Sequence, residues 1–245
     1  MNYINNIKNK LVSHTSYKTG PYSTLWYNDD LNKVCITFTP RGGCSVSFQQ
    51  YLDLVGLLSD GFKYDNFIHK YRSNIFIPNI KYKPMKELID NNYTIIKFIM
   101  NPYIRAVSIY RVQQSHNLSF REYLKQLVNN ETKYFNLSDR VHLHPQYIDG
   151  EEKFITKYIK INENEKYTIK LKNNELYTFD TSKFTSIHHG KKSDNTNFVG
   201  DLKKDIVNQN LPKSYKFFYD DEIKSLVDIF YKNDVEKYKF NFEDF

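Results

Sequence analysis

The feature that most constrains this chain is a short apolar run that stops at a proline and opens, through two glycines, into a helical stripe. Residues 33–39 read Lys-Val-Cys-Ile-Thr-Phe-Thr, a β-branched and aromatic run that predicts a buried strand. Pro40 ends it, and Arg41, Gly42, Gly43, Cys44 and Ser45 follow. Beyond them Phe48, Tyr51, Leu52 and Val55 recur at i, i+3, i+4 and i+7, the apolar face of an amphipathic helix. The order is therefore strand, tight loop, helix. Glycines there let the backbone turn sharply and approach a ligand closely, and the helix aims its first N–H groups at the same point. That is a nest for an anion. Arg41 adds a forked cation and Ser45 a hydroxyl, so a phosphate-like group is the expected occupant. The plainer alternative is an ordinary strand-to-helix turn that happens to carry an arginine.

A second strand–helix junction follows. Residues 93–100 (Tyr-Thr-Ile-Ile-Lys-Phe-Ile-Met) read as a buried strand of a parallel sheet. Asn101 is placed to cap the next helix and Pro102 to occupy its first position. On that helix Tyr103, Val107 and Tyr110 share one face, and Asn101, Arg105 and Ser108 share another. Residues 120–128 predict a short helix, residues 175–179 a strand, and residues 221–238 a closing helix with Ile223, Leu226, Val227, Phe230 and Tyr231 on its apolar face. Alternating strands and helices predict an α/β fold: a single domain over residues 31–245, with a mainly parallel sheet flanked by helices. Residues 1–30 show no period and are expected to be an irregular lead-in.

Composition bounds the rest. The chain has 245 residues with 40% apolar and 16% aromatic content, enough for a packed core, which excludes global disorder. The net charge of +7 suits polyanionic ligands, but the bias toward Asn, Lys, Ile and Tyr weakens it as a signal. Two cysteines, Cys35 and Cys44, make no disulfide framework and point to a reducing compartment. With no signal peptide and no membrane span expected, the reading is a soluble, cytoplasmic protein.

A nucleoside-triphosphatase loop would need Gly-x-x-x-x-Gly-Lys-Ser/Thr, but no Lys follows Gly43, and Gly-x-Gly-x-x-Gly is absent too. Thr39-Pro-Arg-Gly-Gly-Cys-Ser45 instead resembles the 5′-phosphosulfate loop of sulfotransferases that use 3′-phosphoadenosine-5′-phosphosulfate (PAPS), commonly Pro-Lys-x-Gly-Cys/Thr-Ser/Thr. Asn101-Pro-Tyr-Ile-Arg-Ala-Val-Ser-Ile-Tyr-Arg111 resembles that family's 3′-phosphate signature, Arg-Asp/Glu-Pro-x-x-Arg-x-x-Ser-x-Tyr, matching at Pro102, Arg105, Ser108 and Tyr110. Met100 stands where the family has its leading Arg. Lys97, Arg111 and the loop Lys191–Lys192 are candidate substitutes for that charge. His142-Leu-His-Pro-Gln146 is similar to the His-x-x-Pro-Gln segment of carbohydrate-type members, and the C-terminal run through Tyr231, Asp234 and Phe242 to their closing helix.

The resemblance implies a P-loop-NTPase-like sulfotransferase fold and transfer of a sulfuryl group from PAPS to an acceptor hydroxyl, with 3′,5′-ADP as product and no metal. The acceptor it suggests is a carbohydrate; no nucleic acid and no membrane are implied as partners. Donor-binding residues would be Arg41, Gly42, Gly43, Cys44, Ser45, Arg105 and Ser108. Arg105 is equally readable as a structural ion-pair partner. Sulfuryl transfer is an in-line displacement driven by positioning and electrostatics, with Arg41 stabilising the departing oxygen. A histidine base is expected for the acceptor: His69 and His142 rank together, then His144. His188 and His189 are expected in a loop near the nucleotide, and Glu87 and Glu122 on solvated helix faces. An inactive nucleotide- or glycan-binding relative is the alternative, motivated by Met100. A nucleic-acid binder is disfavoured because the aromatics fall on buried faces.

Overall fold

The computed structural model describes residues 14–19, 24–80, 83–114, 116–131, 135, 140, 142–161, 163, 165–184 and 193–244. Two compact units make up the chain, one of residues 1–99 and 149–187, the other of residues 100–148 and 188–245. The architecture is α/β, a sheet flanked by helices.

In the first unit a five-stranded sheet runs in the order β1 (His14–Thr19), β2 (Thr24–Asp29), β3 (Val34–Phe38), β4 (Thr94–Met100) and β5 (Lys157–Ile161). The expected parallel pairing holds between β3 and β4, from Val34 opposite Thr94 to Phe38 opposite Phe98. Every residue of β3 is buried, as its unbroken apolar run requires. The helices here are α1 (Cys44–Leu54), α2 (Leu58–Tyr64), α3 (Ile68–Tyr71), a π-helical turn Arg72–Phe76, α4 (Ile77–Asn79) and α5 (Met85–Asp90). Tyr27, Phe38, Phe48, Tyr51 and Phe76 form a ring cluster with Tyr27 at its centre, its centroid 5.2–5.5 Å from the other four. A separate antiparallel pair, β6 (Lys166–Lys170) with β7 (Leu176–Asp180), contains the strand expected near residue 175.

Within the irregular lead-in expected over residues 1–30, residues 14–19 and 24–29 are instead strands of this sheet, while residues 1–13 and 20–23 lie outside the described residues. β1 pairs antiparallel with β2, and β2 pairs antiparallel with β3, so residue 30 lies in a turn within the sheet and not at a boundary. Asn28 and Asp29 hid the strand, because a polar pair usually ends one. Both are buried here, and Asp29 serves the turn by accepting from the Leu31 N–H at 3.0 Å and the Asn32 amide at 2.6 Å.

The second unit is helical: α6 (Pro102–Val112), α7 (Phe120–Val128), α8 (Lys204–Gln209), α9 (Asp221–Phe230) and α10 (Lys232–Tyr238). Its core gathers Tyr103, Val107, Tyr110, Phe120, Tyr123, Phe218, Ile223, Val227 and Tyr231. The closing helix expected over residues 221–238 is two helices, broken at Tyr231 (φ −106°, ψ 29°). Glu122 lies on an exposed helix face, as expected. It completes a capping box with Ser119 at the start of α7. No helix among the described residues is long and apolar enough to cross a membrane.

Candidate functional site

In the first unit the chain leaves β3 at Phe38 and re-enters regular structure at Cys44. The Gly42 N–H donates to the Thr39 carbonyl at 2.7 Å, closing a tight turn. Arg41 has φ +61°, the left-handed region that a residue with a Cβ rarely enters. Gly43, the N-cap of α1, has φ +97°. A Cβ at Gly43 would lie 1.8 Å from Cδ1 of Ile161 on β5, which would have to move, while the left-handed backbone itself favours glycine. No side chain caps α1. Its first N–H groups therefore face the loop, the arrangement that favours an anion. The Ser47 amide and hydroxyl both donate to the Gly43 carbonyl, at 2.9 and 3.0 Å, fixing the helix start.

The structure brings one expected histidine to this loop. His69 Nε2 lies 2.8 Å from the Ser45 hydroxyl. On its other side, Nδ1 of His69 lies 3.5 Å from a guanidinium nitrogen of Arg72. Asp65 pins the start of this helical segment by accepting from the Phe67 N–H at 2.7 Å. The guanidinium carbon of Arg72 sits 6.0 Å from the centre of the Phe38 ring. Burial works against the Arg72 charge, but the neighbouring Tyr27 and Cys44 more than offset it and raise its pKa. Burial pushes the Tyr27 hydroxyl up to about 12. Sequence reasoning missed Arg72. Its i+3 spacing from His69 on a helix was the available signal.

In the second unit the remaining motifs converge on a buried polar network. Asn101 caps α6 as expected, its side chain accepting from the Tyr103 N–H at 3.0 Å. Gln146 clamps the Met100 backbone from both sides, accepting from its N–H at 2.9 Å and donating to its carbonyl at 2.7 Å. Asp234 accepts from the Gln146 N–H at 2.9 Å and the Tyr147 N–H at 2.8 Å. Arg105, fully buried, donates to the His142 and His144 carbonyls at 3.0 and 2.6 Å. It pairs with Asp234 at 3.8 Å. These are the partners of the ion-pair reading of Arg105, not of the ligand reading. Burial raises the Asp234 pKa, and the Arg105 charge works against that rise. Burial, then the Arg105 charge, lowers the His144 pKa, which favours a neutral imidazole.

Ser108 is half-buried on α6. Of the cations proposed to replace the missing arginine, Lys97 is buried in an ion pair with Glu151, so its charge serves the core. Arg111 donates to Asn208 at 3.3 Å and to the Tyr215 hydroxyl at 2.7 Å. His188, His189, Lys191 and Lys192 lie outside the described residues. No group of three His, Cys, Asp or Glu that could hold a metal ion occurs among the described residues. Compared with known proteins, the chain matches no family model, no curated protein and no solved structure.

Proposed function

We propose that the chain is a PAPS-dependent sulfotransferase on a P-loop-like fold, moving a sulfuryl group to an acceptor hydroxyl, with a carbohydrate as the favoured acceptor class. The observation that carries the reading is the loop between β3 and α1. It has a left-handed Gly43, an uncapped helix start, the cation Arg41, and a hydroxyl, Ser45, held by a histidine. Resemblance to the donor signatures assigns the phosphosulfate end of PAPS to this loop and the 3′-phosphate to Ser108 on α6.

In the reaction the bond between sulfur and the 5′-phosphate oxygen breaks, and a bond between sulfur and the acceptor oxygen forms. The acceptor proton passes to a base, for which His142 and His69 are the candidates. The departing oxygen gathers negative charge, and the Arg41 guanidinium and the amides of residues 43–45 offset it. Met100 favours a second reading, an inactive relative that binds the nucleotide or a glycan, because a thioether cannot neutralise a phosphate.

Titration with 3′,5′-ADP by calorimetry, with 5′-AMP as control, separates the readings from the start. Preference for the bisphosphate, weakened by Arg41→Ala and by Ser108→Ala, supports the donor site, and transfer from PAPS in a glycan screen supports the enzyme. Binding without transfer selects the inactive relative. No preference for the 3′-phosphate removes the donor site altogether.

A further inference from the structure

The hydrogen bonds around Ser45 have a direction. An arginine side chain can only donate. With Arg72 donating to Nδ1 of His69 across 3.5 Å, a long contact whose polarity is nonetheless fixed, that nitrogen carries no hydrogen. A neutral His69 then carries its hydrogen on Nε2, the atom 2.8 Å from the Ser45 oxygen. His69 donates to Ser45, and the Ser45 hydrogen is left to point elsewhere. Ser45 is the second residue of α1 and almost wholly buried, its backbone carbonyl already taken by the Gln49 amide at 3.0 Å.

We infer that Arg72 and His69 are positioning residues that orient the Ser45 hydroxyl as a hydrogen-bond donor to the oxygen that departs from sulfur, and that His69 is not the base. The inference rests on the donor-loop reading above. It separates the two histidines that sequence reasoning ranked together. A base for the acceptor must present a bare nitrogen to a substrate hydroxyl, whereas Nε2 of His69 is committed as a donor to the loop. The acceptor proton is then left to another base, with His142 and His144 the remaining histidine candidates. No proton is exchanged along the chain of donors. Polarisation runs from the guanidinium through the imidazole to the hydroxyl, which is strengthened as a donor just where negative charge develops.

Glutamine places a neutral N–H close to the position of histidine Nε2, so His69→Gln keeps the donor and deletes any base. In the full chain, with transfer from PAPS to an acceptor found by the glycan screen, His69→Gln is expected to retain kcat within about tenfold. His69→Ala and Arg72→Gln are expected to lose roughly 100-fold in kcat, the cost of one oxyanion donor. Nitrogen-15 spectra of histidine-labelled protein, with the His69 signals assigned by their absence in His69→Gln, are expected to show the Nε2–H tautomer. Arg72→Gln is expected to mix the two tautomers. A loss of more than about 100-fold in His69→Gln, matching His69→Ala, would mark His69 as the base and overturn the inference. An Nδ1–H tautomer in the wild type overturns it as well. A wild type that shows the Nε2–H tautomer but binds no 3′,5′-ADP instead sinks the donor-loop reading and, with it, the leaving-group role.

Discussion

Gly43 and Arg105 show how a single residue can be fixed by what lies around it. At Gly43 an added methyl meets Ile161 at 1.8 Å and the backbone sits at φ +97°. Gly43→Ala is expected to cost about 2–4 kcal/mol, from overpacking and left-handed strain together. Urea unfolding measures it, and adding Ile161→Val, which deletes the clashing Cδ1, should return part of the loss. Arg105 makes a different prediction. Its removal leaves Asp234 buried beside an empty space, so Arg105→Ala should destabilise by about 3–5 kcal/mol. The affinity of the folded fraction for 3′,5′-ADP should stay within about threefold if Arg105 is an ion-pair partner. A loss well beyond that in calorimetry would return it to the ligand shell.

Elements were legible in the sequence where the signal was local. The β3–loop–α1 unit could be read because a β-branched run, a proline, two glycines and a helical stripe all sit within about two dozen residues. The start of α6 was legible for the same reason, with Asn101 capping and Pro102 in the first turn. What could not be read was what depends on distant partners. β2 ends in Asn28 and Asp29, polar residues that are buried once the sheet forms, with the Asp29 carboxylate taken up by the turn that follows. β5 and β6 are lined with lysines whose charges mask the alternation beneath. The helical motif at Arg105 gave no sign that its carboxylate partner lies on α10. Two caps test this local physics. Ser119→Ala removes one arm of the capping box of α7 and should cost about 1 kcal/mol, read as a lower urea midpoint. Asp180, at the end of β7, accepts from the Ser182 side chain and amide, and its pKa falls to about 2, chiefly through that side-chain bond, with Lys166 helping. The folded-state value lies below the unfolded one, so its stabilisation is present above about pH 4 and fades as pH falls toward 2. Asp180→Asn should therefore lose less stability than the wild type between pH 5 and pH 2.5, as followed by urea unfolding at each pH.

For the whole molecule, a ligand held by the folded chain alone raises its stability by mass action. At 100 times its dissociation constant, 3′,5′-ADP should add about 2.7 kcal/mol, seen as a rise in Tm that 5′-AMP at the same concentration does not match. Equal rises would mean that the 3′-phosphate is not recognised. The division into two units has a consequence for how the chain is made. Neither unit is one continuous stretch: residues 100–148 of the second are threaded between the two parts of the first. On a ribosome, β4 emerges with one edge unpaired, and its partner β5 begins only at Lys157. At 5–20 residues per second the delay is roughly 3–12 s, during which an apolar parallel strand waits with its hydrogen-bonding edge open. The first unit cannot be completed before much of the second has been translated. A nascent chain stalled near residue 130 would therefore be a natural client for a chaperone.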